Sequence, residues 1–434
     1  MLASPANVGP MLPVVISGGG PAGLFSALAL ARQGIDACVF ERQDWPVDKA
    51  CGEGLMPKGL DYFKYLGLES YLSQIAYREF RGATFISGTK KVSTDFDPGE
   101  RGLGIRRTEL SSMLYSACRS NPYITLLPKH RIVSVETCQM KNRVSISYLY
   151  DRKIRPFVGS YVIGCDGLRS TVAKSLGIKP RRFIWQRKGC RQHFSLTPWS
   201  HRVEVYWCQG YEIYCTPVDQ QTIEVAILAN DRTWKRYFNR YSILPWLASI
   251  PELVHRFHKA HPTSAVLAHG PLGFHRRPPS PSVPAFLIGD SLCFWDGITG
   301  EGLTNAAKQA IIMAEGLKNI LGCLDKNEVI AVKQSTQLKI NAVLLPYLLN
   351  TWMALILAQN NLFRRIFMDL MSSYPWIGKK LLDWNSHKGL PKKLADVYLK
   401  ITIFLANLRY FFIPRYRSEN KLVFFGRFFH QLEP

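Results

Sequence analysis

Three groups of residues suited to holding a nucleotide stand in one order along the chain: Gly18-Gly19-Gly20-Pro21-Ala22-Gly23, Cys165-Asp166-Gly167, and Gly289-Asp290 followed by Thr299-Gly300-Glu301-Gly302. The first follows the apolar run Val14-Val15-Ile16 and precedes the helical stretch Leu24 to Ala31, so it reads as strand, tight turn and helix. Gly18, Gly20 and Gly23 occupy the G-x-G-x-x-G positions, where small residues let backbone N–H groups and a helix N-terminus approach a pyrophosphate. Pro21 and Ala22 complete that cofactor-binding turn. A second strand, Ala37 to Phe40, ends in Glu41-Arg42. An acid roughly twenty residues beyond the glycines can accept from ribose hydroxyls, and the combination predicts a dinucleotide site.

The elements that must position this turn fit a chain of 434 residues with 47% hydrophobic content, enough for a large core and two or three domains. Ten cysteines form no C-x-x-C pair and no metal-ligand spacing, so reduced thiols, a cytoplasmic setting and no metal site are expected. The first thirteen residues, with Pro5, Pro10 and Pro13, read as a loose leader rather than a signal peptide. The net charge of +23 is scattered and lacks any nucleic-acid-binding signature, which argues against nucleic acid and for an anionic membrane surface. Ile340 to Phe363 carries no charged residue, and basic residues interleave with apolar ones beyond it, from Lys379-Lys380 through Lys388, Lys392-Lys393 and Lys400 to Arg409, Arg415 and Arg417. Three arrangements are open for that region: a helix on the membrane surface, plain core packing, or a true span.

Alternation and composition give the organisation. A discontinuous α/β unit, residues 1–180 and 280–330, is expected to bind the dinucleotide. Residues 181–279 read as a β-sheet substrate domain, with strands at Val203 to Trp207, Tyr211 to Cys215 and Thr222 to Leu228. A Pro-rich linker from Pro271 to Pro284 returns the chain to the strand Ala285 to Ile288, and residues 331–434 form a helical, basic, apolar appendage.

Gly18 to Gly23 with Glu41-Arg42, Gly164-Cys165-Asp166-Gly167-Leu168-Arg169-Ser170, and Gly289-Asp290 with Gly300-Glu301-Gly302 together resemble the FAD-dependent aromatic-hydroxylase superfamily. It is built on the para-hydroxybenzoate hydroxylase fold and shared by geranylgeranyl reductases and flavin-dependent halogenases. The similarity runs over about residues 14 to 320. Asp48 to Pro57, Gly104 to Thr108 and Asp296 to Gly302 resemble a bacterial group of monooxygenases and geranylgeranyl-reductase-like oxidoreductases. The resemblance implies a Rossmann-like FAD-binding domain, FAD as cofactor, NAD(P)H as reductant, and a phenolic, polyketide or isoprenoid substrate. It places Asp290 against the ribityl chain, Arg107 or its neighbour Arg106 against FAD, and Asp166 in a motif linked to FAD and NADPH. It also places Gly300, Gly302 and Leu303 at a helix start facing the flavin pyrimidine edge, where the helix dipole stabilises negative charge on reduced flavin.

Departures from the family pattern matter. Gly289-Asp290-Ser291-Leu292-Cys293 replaces Gly-Asp-Ala-Ala-His, and Gly297 stands where a proline is usual, both of which argue against a small-phenol hydroxylase. The halogenase W-x-W-x-I-P segment has Glu212 and Tyr214 in place of its tryptophans. Tyr211 to Pro217 is closer to the Y-x-W-x-F-P strand of geranylgeranyl reductases, and Cys51-Gly52 to their Cys-Gly turn beside the flavin. The leading reading is a monooxygenase using NAD(P)H and O₂; the alternatives are a prenyl reductase and a non-catalytic flavin-fold binding protein. Direct reduction and a separate reductase partner both stay open, because no second G-x-G-x-x-G unit is visible. Cys51, Glu53, Glu212 and Tyr214 are the candidates for an acid or a substrate contact.

Overall fold

The computed structural model describes residues 12–138, 143–277, 282–323 and 325–385. Most of the appendage's basic residues, from Lys388 to Arg417, lie outside the described residues, as do Pro5 and Pro10. Val14–Ser17 is buried on both faces, as a central parallel strand must be, and pairs in parallel with Ala37–Phe40 on one side and Val162–Gly164 on the other. Ala285–Leu287 and Ile124–Leu127 complete a five-stranded parallel sheet. The helix Pro21–Arg32 crosses over it, with Pro21 in the first turn where a missing N–H costs nothing. That helix packs against Arg107–Arg119 and Gly302–Lys318, so all three glycine-rich segments converge at the carboxyl ends of the parallel strands.

The second sheet is larger than an insert at residues 181–279. Arg181–Ser195, Thr222–Asn230, Tyr211–Pro217 and Val203–Cys208 form its centre. Gly82–Ser87 and Lys90–Asp95 extend one edge, so residues well upstream belong to it. The expected linker from Pro271 is also corrected: Leu267–Arg276 is a strand paired along Arg181–Ser195. Pro271 is tolerated because the pairing is irregular beside it, shifting register between Arg187 and Gly189. Three short helices, Asp231–Tyr237, Leu244–Leu247 and Pro251–Phe257, interrupt a region that alternation had marked as sheet throughout. They cover one face, where Ile213, Ile223, Val225 and Ile227 pack with the fully buried Trp246.

The opposite face is covered at its far end by the C-terminal helices Leu345–Gln359, Asn361–Ser373 and Pro375–Asn385. Phe85, Val205 and Trp207 from the sheet meet Leu357, Met368, Met371 and Leu381. The apolar run from residue 340 is thus core packing in this fold. Among the described residues no helix is long and apolar enough to cross a membrane. Arg364 fastens the arrangement: its guanidinium donates to the carbonyls of Leu357 at 3.1 Å and Ala358 at 3.2 Å, and to Ser87 Oγ at 3.1 Å. Arg364→Ala is expected to lower unfolding free energy by about 2 kcal/mol or more, read from urea denaturation, because it strands buried acceptors and opens a void.

Candidate active site

Close approach dictates the glycines of the first turn. Gly18 sits at φ +100°, and a Cβ there would lie 2.6 Å from the Cys165 carbonyl oxygen. A Cβ on Gly23 would stand 1.8 Å from the Gly18 carbonyl oxygen, so helix and turn can touch only as glycines. Glu41 is buried and clamps the turn, Oε2 accepting from the Gly19 N–H at 2.7 Å and Oε1 from the Gln43 N–H at 3.0 Å. The acid expected to meet ribose therefore holds the loop first. Ala22 lies against Gly289, whose φ is +63°.

Around this turn the structure gathers cations. Arg107 begins its helix, is nearly buried, and brings Nη2 to 3.9 Å from the position a Gly20 Cβ would take. The Nε atoms of Arg106 and Arg107 have no hydrogen-bond partner among the described residues. Lys49 pairs with Asp290 at 3.0 Å. His269 is held below its ordinary pKa by burial and by Lys49, Arg169 and Arg42 nearby, which places those three cations in one neighbourhood with Asp290. Arg42 itself is exposed at the rim. Opposite, Gly52, Gly300 (φ +70°) and Gly302 all face open space, with nothing within 4 Å of a Cβ. Gly302 is the exposed first residue of its long helix, with Leu303 half-buried behind it.

An elongated dianionic dinucleotide with a flat ring system fits this cradle. The cations and the helix Pro21–Arg32 suit a pyrophosphate, Asp290 suits a polyol chain, and the open glycines suit a planar ring. FAD bound there would supply hydride and electron transfer; the protein's part is to hold, orient and shield it.

The other named residues divide by environment. Asp166 caps a helix, its Oδ2 accepting from the N–H groups of Thr171 at 2.6 Å and Val172 at 3.1 Å. Its Oδ1 has no partner among the described residues. Glu212 lies in a buried ion cluster with Arg187 and Asp296, and burial pushes its carboxyl up to about 7 against the pull of Arg187. That geometry is structural, and breaking such a cluster typically costs 3–5 kcal/mol. Tyr214 donates to the Ile298 carbonyl at 3.1 Å, tying the sheet to the Thr299–Gly302 turn. Cys51 is half-buried beside exposed Gly52. Glu53 adopts a positive φ of 50°, unusual for a residue with a side chain, and turns its carboxylate fully inward. There Oε1 accepts from the Arg107 N–H at 2.7 Å, and Oε2 meets His193 Nε2 at 2.7 Å.

Two functional features escaped the sequence. Glu301 is buried and accepts from Tyr347 of the helix Leu345–Gln359 at 3.0 Å, so the appendage reaches the flavin-facing turn. Burial holds the Glu301 carboxyl well above its ordinary range. The second feature is His193 with its ladder partner Glu224, a pair that alternation alone marks only as strand residues. Beside these groups an apolar cluster is packed between the sheet and the C-terminal helices, formed by Leu228, Ile298, Leu355 and Ala358 with Tyr214 and Leu272. Among the described residues no cluster could hold a metal ion, and the described cysteines are free.

Residues 11–212 match the protein family described as FAD binding domain. A menaquinone reductase of Mycolicibacterium smegmatis is 31% identical over 166 residues, 38% of this chain and 39% of that protein. The chain therefore matches about two fifths of that relative's length. Among solved structures, a flavin-dependent brominase superposes with a TM-score of 0.77 at 16% identity, covering 92% of this chain and 100% of that one. A probable FAD-dependent monooxygenase of Pseudomonas aeruginosa superposes with a TM-score of 0.68 at 17% identity, covering 82% and 100%. At those identities the likeness is one of fold.

Gly23→Ala is expected to remove most bound flavin, measured as the flavin-to-protein absorbance ratio after purification, because the methyl cannot coexist with the Gly18 carbonyl. Asp290→Ala is expected to weaken flavin retention without unfolding the chain, since Asp290 is half-exposed and bonded to Lys49 from another loop.

Proposed function

We propose that the chain, whose residues 11–212 match the FAD binding domain family, is a flavin-dependent monooxygenase acting on a lipophilic phenolic, polyketide or isoprenoid substrate. The observation that carries this reading is the apolar cluster of Leu228, Ile298, Leu355 and Ala358, joined to the flavin-facing turn through Tyr214. A ring held at the cradle end would lay its alkyl chain against this cluster, between the sheet and the helical cover, and each buried methylene contributes about 0.8 kcal/mol. The chain's own residues bind and orient: the cations hold the dinucleotide, the Tyr347–Glu301 bond fixes the turn, and the helical cover excludes water. NAD(P)H is the proposed reductant, delivered either directly or through a partner reductase.

Reduction of a prenyl double bond is the second reading. It is favoured by the resemblance of the strand Tyr211–Pro217 to that of geranylgeranyl reductases, and the mycobacterial relative is itself named a reductase. One experiment separates them. With NADPH and an alkylphenol, the monooxygenase reading expects one atom of labelled dioxygen in the product and no turnover without oxygen. Anaerobic saturation of a polyprenyl quinone would favour the reductase.

An anionic lipid surface is the proposed partner. Leu362, Ile366 and Leu370 recur every fourth residue on the helix Asn361–Ser373, followed by Trp376, and they are 64%, 47%, 42% and 64% exposed. Such a stripe on a chain of charge +23 suits a negatively charged headgroup layer with an apolar interior. Replacing Leu362, Ile366 and Trp376 by Ser is expected to abolish co-sedimentation with phosphatidylglycerol vesicles while leaving flavin content unchanged.

A further inference from the structure

Glu224 is fully buried, and neither of its carboxyl oxygens has a hydrogen-bond partner among the described residues. Such a group destabilises the free protein unless it is kept for something that arrives. Its strand, Thr222–Asn230, alternates, with Ile223, Val225 and Ile227 entering the core beneath the short helices. Glu224, Ala226 and Leu228 therefore face the other side, that of the apolar cluster and of the Cys51–Glu53 turn. Both ladder neighbours of Glu224 touch that turn. Thr216 donates to the Gly52 carbonyl at 3.3 Å, and His193 bonds Glu53 at 2.7 Å.

His193 also looks outward. Its Nδ1 lies 3.1 Å from Ser264 Oγ, and Ser264 lines an open groove of ≈ 460 Å³ with Gln192, Arg240 and Tyr241 on the solvent side. The imidazole is itself almost completely buried. A hydrogen-bonded line thus runs from Ser264 at the groove through His193 and ends at Glu53; Arg191 Nη1 also meets His193 Nδ1 at 2.9 Å, and Glu224 stands across the ladder from His193 without a bond to the line.

Resting on the flavoenzyme reading above, we propose that Glu224 is the proton-delivering side chain of this site and that Ser264, His193 and Glu53 return its proton from the groove. In the step, the Glu224 O–H bond breaks and its proton passes to a ligand oxygen or carbon. The carboxylate left behind regains a proton from Glu53, the inner end of the line, by way of a water or hydroxyl that enters with the ligand, one proton leaving groove water for each one delivered. No electrons move in this exchange. The groups facing Glu224 are consistent with it. Glu53, Cys51 and Asp48 from the turn favour its neutral form, Arg191 opposes them, and burial outweighs all four, so the carboxyl titrates well above its ordinary range.

The sign for stability follows. The folded state holds a proton on Glu224 where the unfolded chain has lost it, so stability falls as pH rises above the ordinary carboxylate range. Glu224→Gln is expected to flatten that fall. A more direct readout is the infrared difference spectrum of the flavin-loaded full chain, wild type minus Glu224→Gln, which should contain one protonated-carboxyl carbonyl stretch beyond those that Glu301 and Glu212 contribute to both. A difference spectrum without that band would overturn the assignment. The rate at which that Glu224 band shifts on transfer to D₂O tests the line without any substrate. Ser264→Ala and His193→Gln should slow the shift by about tenfold or more at unchanged flavin content. Unaltered exchange rates in both would overturn the relay, and a purely structural role predicts that result. Absent alkylphenol turnover with slowed exchange would instead count against the monooxygenase reading alone.

Discussion

The contact between Gly18 and Gly23 is the constraint from which the rest of the molecule follows. A helix can start this close to its preceding strand only where neither residue carries a Cβ, and the approach aims the helix's free N–H groups into the cradle. Glu41 locks the turn through Gly19, and the Cys165 carbonyl closes on Gly18 from the neighbouring strand. Parallel pairing then brings the Gly289–Ser291 segment beside Ala22, and the Gly302–Lys318 helix packs along the first one. One steric fact at the start of the chain thereby fixes where residues nearly three hundred positions later must lie.

The two sheets meet at a second close approach. A Cβ on Gly104 would stand 1.9 Å from the Pro217 carbonyl oxygen, so the end of the strand Tyr211–Pro217 sits directly on the Gly102–Gly104 strand of the flavin side. Glu53 reinforces the joint from within, receiving the Arg107 N–H from one side and His193 from the other. The large sheet is consequently a fixed extension of the cradle, with the apolar cluster packed on its face. Its ionic content is arranged by depth. The Arg187–Glu212–Asp296 cluster stabilises the middle of the face, while Glu224 near the cradle end is left without a partner among the described residues.

Local chemistry was the legible part of the sequence. The strand Ala37–Phe40, the helix after the Gly-rich turn and the central strands of the second sheet follow from apolar runs and punctuation a few residues long. What alternation could not show depends on distant partners. Gly82–Ser87 joins the second sheet through a parallel pairing across more than a hundred residues. The stretch after Pro271 continues as a strand because Arg181–Ser195 is long enough to pair with it. The apolar segment from residue 340 fits both a membrane and a core by composition; the exposed apolar face of the second sheet decides for the core. His193 and Glu224 carry no motif at all, since their meaning arises only when two strands place them opposite one another beside Glu53.

The account turns on the proposal that the apolar cluster beside the flavin-facing turn receives a lipophilic substrate. The most direct test titrates the purified, flavin-loaded chain anaerobically with alkylphenols of increasing chain length while following the flavin absorbance. The account predicts a spectral perturbation at every length and an affinity that rises about fourfold per added methylene until the apolar surface is covered. A flavin spectrum indifferent to the phenols, or an affinity independent of chain length, would contradict it.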